Sequence, residues 1–138
     1  MIERFAATGF RNLKNIDLTL NARLVVFFGD NGQGKTNLLE GFSLLSSLKS
    51  FRGAKAHDLI GRDEQAATLQ LSSSSGAGLS ETRSIQMTRA GAKMTLINQK
   101  SERRRATWQR RMPMVIFHPQ SLSLAQGSPE VRRSLLDE

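Results

Sequence analysis

The stretch Gly29-Asp30-Asn31-Gly32-Gln33-Gly34-Lys35-Thr36 decides the reading of this chain. It satisfies the pattern G-x-x-x-x-G-K-[ST] at every fixed position, with Gly29, Gly34, Lys35 and Thr36. Upstream lies Leu24-Val25-Val26-Phe27-Phe28, an apolar, β-rich run that predicts a buried strand. Downstream, residues 37–48 place Leu38, Phe42 and Leu45 at helical spacing, and the helix is expected to end near Leu48. Strand, glycine-rich loop and helix is the order that a phosphate cradle requires. Glycines let the backbone turn tightly and aim several N–H groups at one point. The helix start adds partial positive charge, Lys35 reaches the β- and γ-phosphates, and the Thr36 hydroxyl completes Mg²⁺ coordination. A tight turn that binds nothing is the plain alternative, and it gives no reason for Lys-Thr at the mouth of a helix.

Bulk properties narrow the class. The chain has 138 residues, enough for one compact domain, and no cysteine, which excludes disulfide and thiolate-metal frameworks. It carries no apolar run of membrane-spanning length and no basic-then-apolar leader, so a soluble, cytoplasmic protein is expected. The formal charge of +8 points to a polyanionic partner, nucleic acid before membrane. That charge is uneven. Residues 100–111 hold Lys100, Arg103, Arg104, Arg105, Arg110 and Arg111 against Glu102 alone, six basic residues against one acidic, or +5 of the +8.

Taken in order, residues 2–9 predict a strand with Ile2, Phe5 and Ala7 facing inward. Leu13-Lys14-Asn15 predicts a turn, and the alternation of Ile16, Leu18 and Leu20 a second, half-buried strand. The simplest layout is two antiparallel strands feeding the strand that carries the loop. Gly41, inside the helix, costs about 1 kcal/mol relative to alanine, a cost that close packing against a sheet would justify. Residues 49–53 predict a loop, 57–60 a short helical turn, and 65–71, 83–88 and 94–97 three strands around an exposed polar loop at 72–78. Ser101 is the candidate cap of a basic helix over 101–109 that carries Trp108. Its arginines either grip phosphates or form a solvated face; Trp108 is expected in the core. Met112–Phe117 predicts a second apolar strand, and Ser128-Pro129-Glu130 opens a helix that runs to the end of the chain.

Four segments together resemble the RecF family of DNA replication and repair ATPases: Phe10-Arg11-Asn12, residues 29–40 (GDNGQGKTNLLE), residues 117–122 (FHPQSL) and residues 127–138 (GSPEVRRSLLDE). The resemblance implies an α/β phosphate-loop ATPase of the ABC type, related to the SMC heads. It implies the first lobe of that fold, with a mixed sheet and one loop helix, over 1–118, and the start of a helical lobe, incomplete, over 119–138. It further implies Mg²⁺-dependent ATP binding, an ATP-dependent homodimer, binding of single-stranded and double-stranded DNA near gaps, action with RecR, and loading of RecA. By match, Gly29, Asp30, Asn31, Gly32, Gln33, Gly34, Lys35, Thr36 and Asn37 hold the nucleotide, and Arg11 and Asn12 border it. Gln120 takes the place of the glutamine that senses Mg²⁺ and the γ-phosphate, with a turn-capping role as its alternative. Thr36 and Gln120 are thus the candidate metal contacts. The signature loop and the acidic strand end of the family are missing, since Asp137-Glu138 lies on a predicted helix, so little ATP hydrolysis is expected of this chain and no catalytic residue is assigned. The competing reading is a basic DNA-binding module with a vestigial nucleotide site. A GTPase would need N-K-x-D, which the sequence lacks.

Overall fold

The computed structural model describes residues 1–75 and 78–117. Its frame is a six-stranded sheet in the order β2-β1-β3-β4-β5-β6. The strands are β1 (Ile2–Phe10), β2 (Leu13–Thr19), β3 (Ala66–Ser74), β4 (Ser80–Thr88), β5 (Lys93–Ile97) and β6 (Lys100–Ser101). Each neighbouring pair is antiparallel. Two helices complete the frame, α1 (Lys35–Ser47) and α2 (Arg105–Arg111), with a short 3-10 turn at Ala56–Leu59.

Period-two alternation builds the core. Phe5 and Ala7 on β1, Ala67, Leu69 and Leu71 on β3, Ile85 and Met87 on β4 and Ile97 on β5 all turn to one face and are buried. Against that face lies α1, contributing Phe42, Leu44 and Leu45. The Phe5 and Phe42 rings meet at 4.4 Å between centroids. Gly41 explains how α1 comes so close. A Cβ there would lie 2.8 Å from Phe5 Cζ and 3.4 Å from Leu69 Cδ2, so the helix approaches the sheet where its side chain is missing.

The basic helix is pinned through its tryptophan. Trp108 is fully buried and donates its indole N–H to the Leu45 carbonyl at 2.8 Å. Buried Arg83 on β4 donates to the Trp108 carbonyl at 2.8 Å and to Glu81 at 2.7 Å, with its guanidinium carbon 5.2 Å from the tryptophan ring centroid. Trp108 therefore takes the core role expected of it, and three elements are joined at one point.

Several local expectations are corrected. Leu13-Lys14-Asn15 lies inside β2, and the turn is Arg11-Asn12, because Leu13 pairs with Phe10 and Asn15 with Thr8. The second neighbour of β1 is β3, not the run leading into the loop. Leu24–Phe28 forms no strand, and Leu24, Val26 and Phe28 are exposed. The physical reason is partnership: a β-prone run becomes a strand only by filling a ladder, and both edges of β1 are taken. Residues 112–117 likewise form no strand, with Val115 and Phe117 exposed. Ser101 does not cap α2. It pairs with Leu96 in β6, and α2 starts later, after Arg104. The predicted helix from Ser128 and the candidate Gln120 lie outside the described residues.

Candidate phosphate-binding site

The site forms where the end of the Leu24–Phe28 run meets α1. Gly29, Gly32 and Gly34 have φ of 144°, 83° and 104°, conformations that L side chains rarely adopt. Gly34 is doubly constrained, since a Cβ there would also lie 2.7 Å from Asn12 Oδ1. The first hydrogen bond of α1 runs from Leu38 N to Gly34 O, at 2.8 Å. The N–H groups of Lys35, Thr36 and Asn37 precede it and point out of the helix start, where the partial positive charge concentrates. Lys35 lies across the loop, its Nζ donating to the carbonyls of Gly29 at 2.8 Å and Asp30 at 2.7 Å. The side chain is thus folded back onto the loop. Asp30, Asn31, Gln33 and Thr36 are exposed along the rim.

The N-terminal hairpin holds this loop from outside. Asn12 donates to Gly32 O at 2.9 Å and accepts from the Asn37 side chain at 2.8 Å. Arg11 turns the other way, making two 2.9 Å hydrogen bonds to the carboxylate of Glu40 on α1. The sequence-predicted residues Arg11, Asn12, Gly29–Asn37 therefore come together in one place, although Arg11 is engaged by a carboxylate. Sequence reasoning missed Glu40, Ser50 and Arg52. Ser50 donates to Glu40, and Arg52 lies 3.7 Å from the same carboxylate and 3.1 Å from Asn37 Oδ1. A signal was present: Glu40 is a lone acid in the apolar run Leu38–Leu45. Among the described residues no cluster of His, Cys, Asp or Glu could hold a metal ion by itself.

A family model described as "AAA domain" matches residues 7–130. The chain belongs to that family. At the level of individual proteins it is RecF-like. It is 35% identical over 136 residues to a DNA replication and repair protein RecF of Geobacter sulfurreducens, and 32% identical to one of Pseudomonas aeruginosa. Both alignments cover 99% of this chain and 37% of the relative, so the chain spans just over a third of the length of these relatives. A solved structure of the recombination mediator protein RecF with ATP superposes with a TM-score of 0.91 at 28% identity, over 99% of this chain and 38% of that one. An SMC ATPase structure aligns at 17% identity with a TM-score of 0.79, a likeness of fold alone. The fold is that of a phosphate-loop ATPase, as the loop predicts.

Proposed function

We propose that this chain binds ATP with Mg²⁺ as the nucleotide-binding part of a RecF-like DNA replication and repair protein. One observation carries the reading most: a loop with three positive-φ glycines leads straight into the start of α1, with Lys35 folded back onto that same loop. The RecF structure determined with ATP supports the choice of nucleotide. Thr36 stands at the first turn of α1, where its hydroxyl supplies a single protein ligand to Mg²⁺. Mg²⁺ fits such a site, because it keeps most of its waters and shares its remaining ligands with the phosphates. Gln120 is the second proposed metal contact, by match alone. ATP-dependent pairing of two copies, action with RecR, support of RecA loading at gaps, and a cytoplasmic setting belong to the same proposal. Calorimetric titration with Mg·ATP tests it. Wild-type chain binds; Lys35→Ala, still folded by circular dichroism, loses at least tenfold in affinity, because a charge-assisted contact of roughly 1.5–3 kcal/mol is removed. Equal affinities would refute the site.

A DNA contact is the second element of the reading. Arg103, Arg104, Arg105 and Arg110 are exposed, and none of them forms an ion pair among the described residues. Such unpaired cations, next to a helix anchored through Trp108, suit the phosphates of a nucleic acid. Replacing Arg103, Arg104 and Arg105 by glutamate should weaken DNA binding and flatten the log–log slope of its salt dependence by about 0.9 for each phosphate that is no longer neutralised. An unchanged salt slope would leave these arginines a solvated face. If wild-type DNA binding proves indifferent to ATP while Lys35→Ala matches wild type in calorimetry, the basic-module reading takes over.

A further inference from the structure

We infer that Glu40 is a positioning residue that fixes the shape of the phosphate loop through two separate arms. Its carboxylate is fully buried on α1, about one and a half helical turns from Lys35. A buried carboxylate is costly unless paired and hydrogen-bonded. Here it accepts both bonds of the Arg11 guanidinium and one from the Ser50 hydroxyl, and lies 3.7 Å from Arg52. Two arginines thus share one acid beside the loop.

The first arm runs through the hairpin. Arg11 is a non-glycine residue at φ 54°, a conformation disfavoured by sterics. It is held there by the two bonds to Glu40 and by its own N–H on the Leu59 carbonyl at 2.8 Å. Strained residues persist where their surroundings over-determine them. That conformation aims the next residue, Asn12, at the loop, where it bonds Gly32 O and Asn37. The second arm runs through the segment after α1. Ser50 Oγ, engaged with Glu40, accepts from the N–H groups of Arg52 at 3.1 Å and Ala54 at 3.3 Å. This fixes the turn from which Arg52 reaches Asn37 Oδ1. Both arms end on Asn37, one residue beyond the Thr36 of the loop. None of these contacts uses the loop's own N–H groups, which stay available to phosphate. Glu40 therefore acts on nucleotide through shape.

The inference rests on the nucleotide reading for its binding consequence, but not for its structural one. ¹⁵N relaxation of the nucleotide-free chain tests the latter. Wild type should give Gly32 and Gly34 order parameters near the rigid value of about 0.85, and a slowly exchanging Arg11 Nε–H resonance. Glu40→Gln, which keeps the side chain's shape, should abolish that resonance and let both glycines fall below about 0.6, while the Ile85 amide in β4 is unmoved. Should Glu40→Gln fail to fold, exposed Asn12→Ala cuts the first arm alone without touching the buried pair, and should loosen the same glycines. Mg·ATP affinity falls roughly tenfold in either variant. Unchanged loop order parameters in the folded variants, or a wild-type Arg11 Nε–H exchanging at the free rate, overturn the inference. Failure of wild type to bind Mg·ATP instead sinks the nucleotide reading, and the order parameters still decide the role of Glu40.

Discussion

The alternating segment Ala67–Leu71 of β3 and the apolar run Leu24–Phe28 both read as strands and end in opposite surroundings. Leu69 and Leu71 are completely buried, whereas Leu24 is 80% and Phe28 91% exposed. The difference does not lie in β-propensity, which favours Val25, Val26, Phe27 and Phe28 at least as strongly. It lies in partners. β3 has β1 on one side and β4 on the other, and its inward residues meet α1. The run into the phosphate loop has no ladder among the described residues. Two kinds of stability follow. The sheet and α1 hold the fold, and the loop is held by a few polar contacts reaching across from the hairpin and from the segment after α1.

A stability series by denaturant unfolding sharpens this contrast. The largest loss belongs to Leu69→Ala, which empties a closed part of the core and should cost about 2–5 kcal/mol. Gly41→Ala comes next. Its new methyl pushes the Phe5 ring, costing about 1–3 kcal/mol, and improved helix propensity returns about 1 kcal/mol. Phe28→Ser, at a site already in water, should fall within about 0.5 kcal/mol of wild type. A loss at Phe28 as large as that at Leu69 would break the comparison and show the run packed in solution.

Much of this architecture was legible in the sequence, for physical reasons that differ by element. The loop was legible because its chemistry fixes residue types at fixed spacing. β1, β3, β4 and β5 were legible because period two and burial coincide in a sheet with one covered face. Gly41 inside a helix signals a close approach, and the neighbour there is Phe5. What stayed hidden was pairing. Nothing local says that β1 is flanked by a strand more than fifty residues away rather than by the run into the loop. Ser101 is a good capping residue, but the ladder with Leu96 claims it first. Glu40 lies off the Leu38-Phe42-Leu45 stripe, so helical periodicity alone does not place it in the core. Its burial depends on Arg11, twenty-nine positions earlier.

At the site itself, residue types were legible and their mutual engagement was not. The family resemblance implies Arg11 beside the nucleotide, and the structure shows its guanidinium committed to Glu40. Lys35 is expected to reach phosphates, and its ammonium donates to the carbonyls of Gly29 and Asp30. The contacts that hold Lys35 are the ones a phosphate would compete with, since both offer oxygen acceptors to the same ammonium.

Amide hydrogen exchange with and without Mg·ATP tests the central claim most directly, that this loop is a nucleotide site carried on a separately stabilised sheet. Without nucleotide, β1, β3 and β4 should be strongly protected and residues 24–37 much less so. Adding Mg·ATP should protect Gly34 to Asn37 and leave β4 and β5 unchanged. Protection that appears in the sheet and not in the loop, or no change anywhere at saturating nucleotide, would contradict it.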